Sequence, residues 1–178
     1  SNFNEKTFTI AVNKIKKYIQ SGNIFQLVLS QKFSRKTAAS SINIYRALRT
    51  INPSPYMFYF KLDDFDIIGA SPELLVKVDN KNIQIRPIAG TRPRGKNSEE
   101  DIKLSQELLK DKKEKAEHLM LVDLGRNDVG RASDYGTVHV TDYMLIEKYS
   151  HVMHIVSNIK GKLSQDKSII DALFSGFP

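Results

Sequence analysis

The sequence contains no cysteine. Disulfides and thiolate metal sites are therefore excluded. No apolar run approaches the roughly 20 residues that a membrane helix needs. The opening SNFNEKTF lacks the basic and apolar regions of a secretory signal, so a cytoplasmic location is the expectation. Internal repeats, low-complexity tracts and linker-like stretches are missing too, which favours one α+β unit. Motifs for nucleotides and nucleic acids are equally scarce: there is no Walker A sequence, no RNP-type aromatic motif and no zinc-finger spacing. DLGRNDVGR has two glycines but lacks the strand-to-helix position of a dinucleotide fingerprint.

What is present is a chain of 178 residues, 40% hydrophobic and 26% charged, long enough for a real core. Lys and Arg number 27 against 20 Asp and Glu, a net charge of +7. Many of these lysines, such as Lys110, Lys112, Lys113 and Lys115, interleave with Glu107, Glu114 and Glu117. That pattern reads as a solvated helix face. The densest cationic stretch, RPIAGTRPRG at 86–95, has three arginines but no interleaved aromatics for stacking bases. It reads as a stiff turn suited to a small anion, and no nucleic-acid partner is expected.

Periodicity predicts a helix carrying Phe8, Ala11, Val12, Ile15, Tyr18 and Ile19 and stopped at Gly22. FQLVLSQKF (25–33) alternates and predicts a strand. SINIYRALRTIN predicts a second helix, capped by Ser41 and ended before Pro53 and Pro55. YMFYFKL, FDIIG, LLVKV and IQIRPI predict short antiparallel strands. Ser98 and Asp101 give a capping-box-like start to SEEDIKLSQELLK, and a longer helix follows from about Asp111 to Gly130. GTVHVT, YMLIEKYS and HVMHIVSNIKG predict strands, and DKSIIDALFSG a last helix. The fold class expected is α+β, a largely antiparallel sheet with packed helices.

Glu114, Glu117, His118 and Leu121 fall at i, i+3, i+4 and i+7 and share one side of a helix. Two carboxylates one turn apart suit a hard divalent cation; the same pattern also suits a salt-bridged surface. Glu73 in GASPELLVKV stands between Pro72 and an apolar strand. Partial desolvation there would raise its pKa and fit it to deliver a proton, whereas a solvated flank would leave it inert. In YSHVMHIVS, His151 and His154 alternate out of phase, and His154 shares its side with Val152 and Val156. A histidine among valines suits a satisfied core position as well as a catalyst.

In this order, IFQLVLSQKF, NPSPYMFYF, GASPELLV, RPIAGTRPRG, KAEHLMLVDLGRND and YSHVMHIVS resemble the chorismate-utilising enzyme family, and within it the anthranilate synthase component I branch. The resemblance runs over essentially the whole chain and implies the chorismate-binding fold. It implies a lyase of tryptophan biosynthesis that turns chorismate and ammonia into anthranilate and pyruvate, with a glutamine amidotransferase, component II, as ammonia source. By resemblance Mg2+ is the cofactor, with Glu117 as a ligand and Glu114 in or near its shell. Gly90 and Thr91 match the substrate-binding positions, and Glu73 the acid that protonates the departing ring hydroxyl. His154 matches an active-site histidine near the enolpyruvyl group.

Two positions distinguish sister activities in the family. Gln26 stands where isochorismate-forming relatives carry a lysine base. Ala89 stands where 4-amino-4-deoxychorismate-forming relatives carry a lysine nucleophile, leaving direct attack by ammonia. Pro55, Tyr56 and Met57 match one side of a feedback pocket for L-tryptophan. Aminodeoxychorismate synthase component I and a noncatalytic chorismate- or anion-binding domain are the alternatives. Family members continue beyond the position of Phe177–Pro178. Residues 1–178 are thus expected to be the N-terminal portion of the catalytic domain, truncated at its C-terminal end, inactive alone and prone to self-association through uncovered apolar strands.

Overall fold

The computed structural model describes residues 1–177. The chain divides into two compact units, Ser1–Ile44 and Tyr45–Pro178. In the first, α1 (Glu5–Gln20) opens with a capping box in which the Asn4 side chain accepts from the Thr7 N–H and Thr7 returns the bond to the Asn4 N–H. The strand expected over 25–33 does not form. The segment is irregular, with Phe25, Val28 and Phe33 each more than three-quarters exposed. Its alternation suits a strand, but a strand needs a neighbouring ladder, and the first unit has no other strand to provide one. One backbone bond, from Asn2 N–H to Lys32 O at 3.1 Å, ties it down locally. The helix α2 (Ser41–Ile51) then leads across the boundary between the units.

The second unit begins with an antiparallel hairpin of β1 (Tyr56–Lys61) and β2 (Asp66–Ser71). Gly69 lies opposite Phe58, whose ring occupies the space a Cβ would take. The main sheet contains β3 (Lys77–Asp79), β4 (Asn82–Ile85), β5 (Ile88–Pro93), β6 (His139–Lys148) and β7 (Val152–Lys162). All its pairings are antiparallel. Strand β7 is its axis: β6 pairs along one edge, while β4 and β5 pair successively along the other. The expected antiparallel α+β class is what the chain adopts.

Two helices meet the main sheet, α3 (Ser98–Lys110) and α4 (Lys112–Ala132), and α5 (Ile169–Ser175) packs on α4. Asp111 separates α3 from α4 with an extended backbone and caps the latter, its Oδ1 accepting from Lys113 N–H and Glu114 N–H. One core joins Val122 and Val129 of α4 to Ile83 and Ile159; a second joins Leu108 of α3 to Met153 and Ile155. The close approach of α4 is permitted by Gly125, where a Cβ would lie 2.7 Å from Ile159, and by Gly161, where one would lie 2.6 Å from Val129.

Two local expectations are corrected. The cap of α3 is Asn97, accepting from Glu100 N–H at 2.9 Å, with Ser98 as the first helical residue. Asp101 instead turns back to bind Gly95 N–H at 2.6 Å and Arg94. The stretch around 86–95 is also less of a turn than its prolines and glycines suggest: Ile88–Pro93 is a strand, irregular between Ala89 and Thr91. Gly90 takes φ +67° there, the backbone region glycine enters without a steric penalty. Pro93 closes the strand, where a missing N–H is tolerated.

Candidate active site

The hairpin, β5 and the β6–β7 turn enclose a cavity of about 450 Å³. Glu73, Ala89, Thr91, Tyr149 and His154 all line it. Each arrives for a local reason. Glu73 follows Pro72 at the exit of β2, where the Ser71 hydroxyl donates to the Glu73 carbonyl at 3.0 Å and fixes the turn. His154 lies opposite Thr91 across the β5–β7 ladder and opposite Glu147 across the β6–β7 ladder. Tyr149 closes the tight β6–β7 turn, its N–H donating to Val152 O at 2.8 Å.

The Gly90 irregularity sets the state of the histidine. His154 Nδ1 lies 2.9 Å from the Gly90 carbonyl and 3.1 Å from Thr91 Oγ1. A carbonyl can only accept, so Nδ1 carries a proton and donates it. That leaves Nε2 to act on an occupant of the cavity. The Tyr149 ring meets the imidazole edge-on with centroids 5.5 Å apart, and its hydroxyl donates to Glu147 Oε2 at 2.9 Å. Glu147 is held in turn by Arg86.

Glu73 is exposed as a residue, and partial desolvation of its carboxyl raises its pKa above the ordinary carboxylate value. The Ile88 N–H and the charge of His154 oppose that rise but do not cancel it. Glu73 and His154 line one cavity, an arrangement in which a carboxyl that keeps its proton to higher pH and an imidazole with a free Nε2 can exchange protons with an occupant. Glu73 also borders a second cavity of about 400 Å³, lined by Leu121, Gly125 and Asp128 of α4.

Of the two helix carboxylates, Glu114 stands beside β5. A Cβ on Gly90 would lie 3.3 Å from Glu114 Oε2, so the glycine makes room for that side chain. Glu114 and Glu117 are both half-buried. Among the described residues no three His, Cys, Asp or Glu gather in a group that could hold a metal ion. Mg2+ keeps much of its hydration and takes one or two carboxylates, a demand that Glu114 and Glu117, one turn apart on α4 and neither fully buried, can meet. His118, on the same helix side, is fully buried with Nε2 2.7 Å from Ser157 Oγ. Burial lowers its pKa, and its role is to join α4 to β7.

Of the residues singled out in the sequence, Glu73, Thr91 and His154 meet at one cavity, with Gly90 supplying the carbonyl behind it. Pro55 lines the same cavity, whereas Tyr56 and Met57 enter β1. Gln26 is an exposed residue of the first unit's irregular segment. Sequence reasoning missed Tyr149 and Glu147. Reading YSHV as a tight hairpin turn would have found them, because that register places Glu147 opposite His154.

Comparison with known proteins shows the family and the fold. Anthranilate synthase component 1 from Acetivibrio thermocellus is 56% identical over 178 residues, all of this chain and 36% of that protein. The protein of the same name from Neisseria meningitidis serogroup C (strain FAM18) gives the same identity and coverage, 56%, 100% and 36%. The crystal structure of anthranilate synthase component I from Streptococcus pneumoniae TIGR4 superposes with a TM-score of 0.87 at 43% identity, covering 97% of this chain and 38% of that one. The chain thus spans 36% of the length of these curated relatives. No helix among the described residues is long and apolar enough to cross a membrane. The family of chorismate binding enzymes matches residues 1–178. With the fold similarity and a family match over residues 1–178 in agreement, this chain belongs to the chorismate binding enzyme family.

Proposed function

We propose that the natural protein carrying this chain converts chorismate and ammonia to anthranilate and pyruvate, the first committed step of tryptophan biosynthesis. The observation that carries this reading is the placement of the Glu73 carboxyl at one cavity with His154 and the small residue Ala89. Ammonia forms the new C–N bond with its own lone pair. The ring hydroxyl leaves as water, taking its extra proton from Glu73. The added ammonium gives up one proton, which restores the Glu73 carboxyl. The enolpyruvyl C–O bond then breaks as the adjacent ring carbon loses its proton and the enolpyruvyl methylene gains one, so that pyruvate departs and the product is aromatic. His154, with Nδ1–H committed to Gly90 O, serves this second stage through Nε2. Ala89, only 7% exposed, offers no amine that could attack the ring in place of ammonia.

Mg2+ would be held by Glu117 and Glu114, where it supplies a positive charge for the ring carboxylate of chorismate. The names of the similar proteins support the assignment to component I, which takes ammonia from a glutamine amidotransferase component II. L-tryptophan as feedback inhibitor, with Pro55, Tyr56 and Met57 on one side of its pocket, and the cytoplasm as location complete the reading. The test is a product assay of the natural protein with chorismate, Mg2+ and ammonium. Anthranilate fluorescence with equimolar pyruvate is expected; accumulation of 4-amino-4-deoxychorismate without pyruvate would contradict it.

A further inference from the structure

Two arginines leave β5 two positions apart and hook two different helices. Arg94 binds Asp101 of α3, Nη2 to Oδ2 at 2.6 Å, and also donates to the Tyr149 carbonyl at 2.6 Å. Arg92 binds Asp111, the residue that caps α4, with Nη2 to Oδ2 at 2.9 Å. Its Nε lies 3.4 Å from Glu107 Oε1 and its Nη1 4.0 Å from Glu114 Oε1. Nη1 also donates to the carbonyl of Thr91 at 3.0 Å. One guanidinium therefore touches the backbone of the strand that carries Gly90 and Thr91 and the cap of the helix that carries Glu114 and Glu117.

The Asp111 carboxylate divides its work. Oδ1 accepts the N–H groups of Lys113 and Glu114 at 3.0 and 3.2 Å, while Oδ2 takes the guanidinium. The cap orients the first turn of α4, and the ion pair fixes that turn against β5. Asp111 and Arg92 are shielded, with side chains 30% and 21% exposed, so this pair is better protected from solvent than an ordinary surface pair. Guanidinium geometry matters here, because a lysine could not reach the strand carbonyl and the carboxylates with one fixed fork.

We infer that Arg92 and Asp111 are positioning residues for the metal: their clip holds the Glu114–Glu117 turn at its working distance from Gly90 and Thr91. Arg92 also places a cation near Glu114 that steadies the acidic turn before the metal arrives. The inference rests on the Mg2+ assignment above and adds the device that presets that site. Arg94, which clips α3, is the internal control.

Calorimetric titration of the natural protein with Mg2+ alone tests it. Asp111→Asn keeps a side-chain oxygen to cap α4 but replaces the acceptor that holds Arg92. Loss of such an outer contact should weaken Mg2+ binding by about ten-fold or more. Turnover should recover at saturating Mg2+, a rescue that general destabilisation would not show. Arg92→Lys should weaken Mg2+ binding in the same direction, and it carries the test if Asp111→Asn does not fold. Arg94→Lys should lower the melting temperature and leave Mg2+ affinity unchanged. Normal Mg2+ affinity in Asp111→Asn or in folded Arg92→Lys, with normal uptake by the wild type, overturns the inference alone. A wild-type protein that takes up no Mg2+ removes the metal assignment and the inference together.

Discussion

Alternate residues of β7 serve different ends. Met153, Ile155, Ser157 and Ile159 are all fully buried, and their contacts lie with α3, α4 and the strands around them. His154 and Asn158, on the opposite side of the same strand, instead hold polar partners: Gly90 and Thr91 for the first, Gln84 and Thr141 for the second. The period of two lets the strand bury one face continuously while His154, on the face it shares with buried Val156 and Asn158, lines the cavity. Substitutions at Ile155 and at His154 should therefore separate, the first acting on folding and the second on turnover.

The largest effect on folding is expected from Ile155→Ala. It empties a fully buried position beside Leu108 and Met153. The loss should be about 2–5 kcal/mol, read by chemical denaturation. A loss below about 1 kcal/mol would show that the helix-facing side collapses freely around the gap.

A smaller effect concerns pH. Burial lowers the His118 pKa from its ordinary 6.5, so the folded chain keeps this imidazole neutral. As pH falls below 6.5 the unfolded chain takes up the proton first. The stability is present in full above that value and is lost as pH falls toward the folded pKa. His118→Phe should flatten that part of the stability profile. An unchanged profile would assign the acid sensitivity to other groups.

Much of this division could be read from the residues. The alternation in HVMHIVSNIKG marked β7, and helical spacing marked α4 with its carboxylates. Glu73 was already notable as an acid between a proline and an apolar strand, and the family resemblance gave it and His154 their roles. Other features depend on contacts distant in sequence. Arg92 and Asp111 are 19 residues apart, and only the packing of α4 against β5 unites them. Asp101 looked like part of a helix cap because of its spacing from Ser98; the nearby Arg94 and Gly95 offered it stronger bonds. FQLVLSQKF has the pattern of a strand, but pattern alone does not supply a pairing partner.

The central claim is that Glu73, at the exit of β2, serves the cavity that His154 also lines and contributes a proton, not stability. The most direct test compares wild type with Glu73→Gln in the natural protein, measuring kcat for anthranilate, chorismate KM and melting temperature on the same samples. Removing a positioned general acid should lower kcat by about 10²–10⁴, with KM and melting temperature close to wild type. Near-normal kcat, or a loss of activity that follows a loss of folding, would contradict the account.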